Sequence, residues 1–317
     1  MSEFSLIQKY FTRATPSAVL GVGDDAALVR VSAGMELAIS TDMLVSGTHF
    51  FPDADPFMLG HKALAVNISD MAAMGAQPRW VTLAIALPVE DEAWLERFSA
   101  GFFALADEYN VELIGGDTTH GPLNLSVTIL GEVPPGKALR RDGAQVGDEI
   151  WVSGKLGDAA LALAQMNGRV KLDDASFAAI VPALHLPIPR VSLGIALRGI
   201  AHSAIDISDG LLGDLGHILQ SSGMAAEIQF DKLPVSVYLQ PYMTQALGKQ
   251  CLLAGGDDYE LCFTASASMH DEINKLSAHL NLPLTCIGKI AAGSGCKVYA
   301  ADGSVMTIKE TGYEHFE

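Results

Sequence analysis

Residues 56–75 read PFMLGHKALAVNISDMAAMG, an apolar stretch whose spacing predicts a helix. On either side lie β-rich apolar runs, ELAIST at 36–41 and WVTLAIAL at 80–87. Strand, helix, strand in that order predicts an α/β fold. The alternation continues outward. A second helical stretch covers 92–110, with Trp94, Phe98, Phe102, Phe103 and Leu105 as its apolar positions, and LNLSVTILGEV at 123–133 reads as another strand. The segment PPGKALRRDGAQVGD at 134–148 is rich in Pro, Gly and charge, and a fresh strand, EIWVSG, follows it. Beyond it, helices are predicted over 158–166, 189–200 and 209–221, and strands at AEIQF, ELCFT and CKVYA. The expected organisation is two domains, 1–137 and 148–317, joined by a linker at 138–147.

The chain has 317 residues, 49% of them apolar, which is enough for a substantial core and too many for disorder. It carries 37 acidic against 20 basic residues, a net charge of −17. A nucleic-acid partner needs a basic footprint, so this balance argues against one. The four cysteines, Cys251, Cys262, Cys286 and Cys296, form no C-x-x-C pair and fit a reducing, cytoplasmic setting. The start, MSEFSLIQKYF, does not read as a signal peptide, and no uncharged apolar run approaches membrane-helix length. No membrane partner is expected.

Seven short segments carry aspartate beside Gly, Ser, Thr or Asn: GVGDDAA (21–27), STD (40–42), NISD (67–70), GGDTT (115–119), DISDG (206–210), GD (213–214) and GGDDYE (255–260). None sets a lysine next to the aspartate. Carboxylates on Gly/Ser turns are hard oxygen ligands on a backbone that can bend around an ion, as Mg²⁺ and Ca²⁺ require. If several converge, they cannot all stay ionised without cations. The pattern therefore points to chemistry with several magnesium ions, most naturally on phosphates. Acidity as a means of solubility explains surface Glu, but not aspartates embedded in apolar, glycine-flanked segments.

Individual positions allow competing readings. Asp42 follows a strand, where loops carry ligands. Asp70 lies inside an apolar helical stretch, where an unpaired carboxylate is costly; the rival reading makes it an N-cap with the helix starting at Met71. Asp209 has the same rival, and capping can coexist with ligation. Lys62 and Arg141 are the best phosphate contacts, although Lys62 reads equally well as a surface lysine. His49, in SGTHF, is a candidate for a substrate phosphate. Asp214 reads as structural. The Asp70/Asp117 and Asp209/Asp257 pairs have similar spacing, which suggests that both halves place a helix-start and a later loop aspartate alike.

Several motifs fail in context. GVGDDA at 21–26 matches a dinucleotide fingerprint but precedes the strand-like ALVRV and sets carboxylates where N–H donors are needed. GEVPPGKA at 131–138 resembles a P-loop, yet Ala138 replaces the Mg²⁺-holding hydroxyl, and Pro134 and Pro135 lack N–H groups. DISDG lacks EF-hand spacing. No protein-kinase motif set and no G-x-S-x-G elbow occurs.

Taken together, FSLIQKYF, GVGDDAA, LAISTDMLVSGTHF, KALAVNISDMAAMGA, LIGGDTT, SAIDISDGLLGDLGHI, GGDDYELCFT and the terminal GYEHF resemble the thiamine-monophosphate kinase family. The matches run in order from residue 4 to residue 316. The wider superfamily includes aminoimidazole ribonucleotide synthetase, selenophosphate synthetase and the hydrogenase maturation dehydratase. The resemblance implies an N-terminal mixed-sheet domain that binds ATP and Mg²⁺ and dimerises, beside a C-terminal α/β domain. It implies transfer of the ATP γ-phosphoryl to thiamine monophosphate, giving thiamine diphosphate and ADP. Carried over position by position, Asp25, Ser40, Thr41, Asp42, Asp70, Asp117, Asp206 and Asp209 look like metal ligands, with Asp42, Asp70, Asp117 and Asp209 closest to catalysis. Gly116, Asp117, Arg141 and Ser208 look like nucleotide contacts. His49, Asp257 and Tyr313 look like contacts to thiamine monophosphate. The family often has Glu where Asp257 stands, and some members have Trp at Tyr313; either aromatic can stack on a cationic ring. The alternatives are another ATP-dependent phosphorylating synthetase of the superfamily and a non-catalytic Mg-nucleotide-binding protein. No cysteine occurs before residue 251 and none ends the chain, which disfavours the selenophosphate and dehydratase branches.

Overall fold

Alternating apolar positions over residues 36–133 pair into a four-stranded sheet, and the helical stretches between them cover one of its faces. The computed structural model describes residues 3–308 and 312–313. Its contacts divide the chain into one unit of Met1–Met71 with Ala76–Gly136 and a second of Ala72–Gly75 with Lys137–Glu317. Residues 138–147, expected as a linker, group with the second unit.

The first unit begins with α1 (Glu3–Leu6), a π turn, and the short antiparallel pair β1 (Ala18–Leu20) and β2 (Leu28–Val29). The elements β3 (Glu36–Val45), α2 (Pro56–Ala73), β4 (Gln77–Leu87), α3 (Glu92–Tyr109), β5 (Glu112–His120) and β6 (Asn124–Val133) follow. Strand order is β3-β6-β4-β5. β4 and β5 run parallel across α3, and the other pairings are antiparallel, so the sheet is mixed. Leu125, Val127 and Ile129 of β6 are buried, as are Leu64 and Ile68 of α2 and Phe98 and Phe102 of α3. The two helices cross at glycines. A Cβ on Gly60 would lie 2.0 Å from the Phe98 carbonyl oxygen, and one on Gly101 would lie 1.9 Å from that of Phe57. α3 starts where the Asp91 carboxylate accepts the Trp94 N–H and ends at a left-handed Asn110. The opposite face of β3 leaves Ile39 62% and Met43 55% exposed.

The second unit contains β7 (Glu149–Ser153), α4 (Asp158–Met166), α5 (Asp174–His185), α6 (Val191–Ala196), β8 (Ala201–Asp206), α7 (Leu211–Ser222), β9 (Ala225–Gln229), α8 (Ala246–Ala254), β10 (Leu261–Ala265), α9 (His270–Leu280), β11 (Leu284–Ala291) and β12 (Gly295–Tyr299). Its sheet has the order β12-β9-β11-β7-β10-β8. Ile150, Val152, Ile205, Cys262 and Ile287 of the strands join Leu161 of α4, Ile180 of α5, Leu215 and Ile218 of α7 and Leu252 of α8 in one core.

Three sequence expectations change. β3 runs to Val45, so Asp42 lies inside a strand rather than after it; its cross-strand partners on β6 extend the ladder through the polar residues. The helix expected over 189–200 is the shorter α6, because Pro187 and Pro189 precede it and its N-cap, Arg190, is non-helical. ALVRV yields only the two residues of β2. Strand β5, which contains GGDTT, was not legible: Gly-Gly-Asp reads as a turn, and only pairing along β4 makes it a strand.

Candidate phosphotransfer site

The expected residues are divided between the two units. In the first unit, side chains alternate along β3. Ser40, Asp42 and Leu44 share the face covered by helices. Met71 of α2 stands against that face at Gly131 of β6, where a Cβ would come 2.6 Å from its sulfur. The Ser40 hydroxyl donates to Asp70 Oδ2 at 2.5 Å. Asp70 lies in the last turn of α2, so the N-cap reading for it is overturned. Asn67, three residues earlier on the same helix face, accepts the Asp42 N–H at 3.3 Å and donates to the Ala63 carbonyl at 3.0 Å. It is a buried fastener between helix and strand that sequence reading missed; its position in NISD, one turn before Asp70, was the available signal.

Thr41 points to the opposite face, where its hydroxyl meets that of Thr128 at 2.8 Å. Its side chain is therefore parted from Ser40 and Asp42. Asp25 is exposed, in a turn where its N–H meets Asp24 Oδ1 at 2.9 Å. Gly116 and Asp117 lie on β5, both exposed, with Asp117 opposite Ala84. His49 folds back on the end of β3, and its Nδ1 accepts the Val45 N–H at 3.0 Å. In a neutral ring that contact leaves the proton on Nε2. Lys62 is 4% exposed, so it is not a surface lysine.

In the second unit, Asp206 is buried at the end of β8, and Ile207-Ser208-Asp209 lead into α7. The helix N-cap is Gly210, so Asp209 is not its cap. Asp214 Oδ2 instead accepts the N–H groups of Ser208, Asp209 and Gly210 at 3.0, 3.0 and 3.1 Å. Those donors set the turn and explain why the helix starts two residues later than expected. Burial, and then the Asp209 charge, push the Asp214 carboxyl up to about 7. The GGDDYE loop lies against this turn: Asp257 N–H donates to the Ser208 carbonyl at 2.8 Å, and Tyr259 N–H to that of Ile207 at 2.8 Å. Tyr313, 52% exposed, donates its N–H to the Asp209 carbonyl at 3.1 Å. Residues 314–316 of the terminal motif lie outside the described residues. Arg141 is exposed, with its carbonyl accepting from the Ser222 hydroxyl.

The proposed equivalence of the two aspartate pairs fails. Asp70 is in a helix and Asp209 in a loop, while Asp117 is in a strand and Asp257 in a loop. Among the described residues, no group of three or more His, Cys, Asp or Glu side chains could hold a metal ion. The donor chemistry still fits Mg²⁺: Ser40, Asp42 and Asp70 offer only oxygen, and Mg²⁺ takes one or two carboxylates and completes its shell with water and phosphate. Among the described residues, no helix is long and apolar enough to cross a membrane.

The family model for the N-terminal domain of AIR synthase related protein matches residues 23–133, and that for the C-terminal domain matches 145–301. Thiamine-monophosphate kinase of Escherichia coli (strain K12) is 48% identical over 318 residues, spanning 99% of this chain and 98% of that protein. The crystal structure of thiamine-monophosphate kinase from Stenotrophomonas maltophilia K279a is 48% identical with a TM-score of 0.86, over 96% of this chain and 95% of that one. The structure of AaThiL complexed with AMPPCP and TMP is 31% identical with a TM-score of 0.78, over 99% and 96%. The chain belongs to the AIR synthase related family and, within it, to the thiamine-monophosphate kinases.

Proposed function

We propose that this chain transfers the γ-phosphoryl group of ATP to thiamine monophosphate, giving thiamine diphosphate and ADP. The observation that carries the reading is the 48% identity to thiamine-monophosphate kinase along nearly the whole of both chains. The chemistry is consistent with the side chains present. The acceptor is a phosphate monoester with a second pKa of about 6, already anionic near neutral pH. No strong general base is needed, and the main barrier is the approach of two polyanions. Magnesium supplies charge neutralisation at the phosphates.

The chain's own part is to hold and orient. In the first unit we assign Asp25, Ser40, Asp42, Asp70 and Asp117 to magnesium, with Thr41 limited to its backbone. In the second unit we assign Asp206 and Asp209. The Ser40–Asp70 hydrogen bond supports this, because it fixes a carboxylate beside the Asp42 strand. Gly116, Asp117, Arg141 and Ser208 are proposed nucleotide contacts. His49 in the first unit, and Asp257 and Tyr313 in the second, are each assigned to thiamine monophosphate. A homodimer formed through the open face of the first unit's sheet is part of the proposal, supported by the exposure of Ile39 and Met43. A cytoplasmic location is supported by the free cysteines among the described residues.

The test is product analysis. Purified protein with ATP, thiamine monophosphate and Mg²⁺ is expected to form thiamine diphosphate and ADP in equal amounts. ADP formed only with another acceptor would point to a different branch of the superfamily, and nucleotide binding without turnover to a non-catalytic role.

A further inference from the structure

The GGDDYE loop holds two residues in the left-handed region, Asp257 at φ 69° and Tyr259 at φ 48°. Aspartate tolerates that region, whereas a bulky aromatic there is an outlier. Such residues cost on the order of 1–3 kcal/mol each and persist where the surroundings over-determine them. The surroundings here are specific. The residues between and after them, Asp258 and Glu260, are anchored to the end of β7 and the turn into α4. Asp258 takes the Gly157 N–H on both carboxylate oxygens, at 2.9 and 3.0 Å. Glu260, 5% exposed, receives the Arg190 guanidinium on both oxygens, through Nε at 2.7 Å and through Nη2. The Ser153 hydroxyl donates to Glu260 Oε2 at 2.5 Å and accepts the Leu261 N–H at 2.9 Å.

The anchored residues alternate with the left-handed ones, whose N–H groups reach the carbonyls of Ser208 and Ile207. Return contact comes from Ile207 N–H to the Glu260 carbonyl at 2.8 Å. Gly256 completes the fit: a Cβ there would stand 2.4 Å from the Ser208 carbonyl oxygen. The loop and the Ser208–Asp209 turn are therefore one backbone-stapled unit, held from behind by two carboxylates.

We infer that Asp258 and Glu260 are positioning residues, which lock the left-handed loop so that Asp257 is presented to thiamine monophosphate in register with the Ser208–Asp209 turn. The inference rests on the assignment of Asp257 to that substrate. Neither residue touches substrate in this scheme. Asp258 acts through the Gly157 N–H, and Glu260 through Arg190 and Ser153. Burial raises the Asp258 carboxyl well above its ordinary range, with Glu260, Asp158 and Asp257 adding to the rise, while the Gly157 N–H opposes it. An amide at this position keeps an oxygen that can accept the Gly157 N–H.

The experiment is a double-mutant cycle on steady-state kinetics with the full-length protein. Asp258→Ala is expected to raise KM for thiamine monophosphate by about ten- to a hundredfold, the scale of a small misplacement of a contact, with a smaller change in kcat. Asp258→Asn, which keeps an acceptor for the Gly157 N–H, is expected to stay close to wild type. In an Asp257→Ala background, Asp258→Ala should add little, because the contact it positions is already gone. Full additivity of the two substitutions, or equal damage from Asp258→Asn and Asp258→Ala, overturns the inference. Wild-type KM in Asp257→Ala overturns the substrate role of Asp257 and this inference with it. If Asp258→Ala fails to fold, Arg190→Lys is the second variant: it keeps the charge and loses the two-pronged grip on Glu260. It is expected to raise the same KM and to be silent in the Asp257→Ala background, and additivity there overturns the inference equally.

Discussion

Asp70 receives the Ser40 hydroxyl at 2.5 Å from a helix whose neighbouring positions, Ile68, Ser69 and Met71, are buried. A carboxylate in such surroundings is expensive unless it is paired. The hydroxyl of Ser40 is one partner, and we assign a cation as another. Asp42 sits on the same strand face, its backbone fastened to α2 by Asn67. This geometry predicts how substitutions behave. Asp42→Asn and Asp70→Asn keep the shape and a hydrogen-bonding oxygen but lose the charge. Each is expected to lower kcat by at least about a hundredfold, the scale seen when a preorganised charge-stabilising group is removed. The Mg²⁺ concentration for half-maximal rate should rise, with the thermal midpoint unchanged or higher. Wild-type turnover and Mg²⁺ dependence in either variant would remove that residue from the magnesium set.

At the scale of elements, the first unit's sheet is tied to its flanking loops by a buried carboxylate on β6. Glu132, 2% exposed, takes the Ser32 N–H at 2.6 Å, the Ser32 hydroxyl at 3.1 Å and the Arg79 Nε of β4 at 3.1 Å. Burial alone would raise its carboxyl; the Ser32 donors and the Arg79 charge outweigh that and hold it below its ordinary 4.5. A carboxyl depressed in the folded state stabilises above the unfolded value, and that contribution disappears as pH falls through the folded one. Glu132→Gln is therefore expected to cost about 1–3 kcal/mol at neutral pH and to approach wild type in acid. Urea unfolding at several pH values measures this; a difference that is constant with pH would show the charge to be irrelevant. The same elements show what was legible in the chain. Helix α3 was readable from its apolar spacing, Trp94, Phe98, Phe102, Phe103 and Leu105. Asp70 was readable as a helix-interior carboxylate because the stretch around it, ALAVNISDMAAMGA, is mostly apolar. The turn before α7 was not, since a side chain from the following helix, Asp214, decides it. Asp258 and Glu260 were equally hidden. Their partners, Gly157 and Arg190, are distant in sequence, and no local pattern reports a left-handed tyrosine.

At the scale of the whole molecule, the open face of the first unit's sheet is the feature that a single chain leaves unexplained. An antiparallel pair with one solvated face normally alternates apolar inside with polar outside. β3 does not: Ile39 and Met43 point outward, 62% and 55% exposed, flanking Thr41 and its partner Thr128 of β6. β3 is also an edge strand, which proteins usually protect with charge, proline or cover. A second copy laid against this face would bury both apolar side chains by symmetry, since the same patch faces itself across a two-fold axis. An interface of standard size removes about 1,200–2,000 Å² from water, and a charge at its centre desolvates without a partner. Ile39→Asp is therefore expected to convert a two-chain species into single chains in light scattering, with Met43→Lys weaker because its longer stem lets the ammonium reach water. Ile39 lies on the face away from Ser40 and Asp42, so a single-chain Ile39→Asp protein that retains its circular dichroism isolates the role of assembly. A single-chain wild type, or a mass unchanged from a two-chain wild type in Ile39→Asp, would remove this face from the proposed assembly.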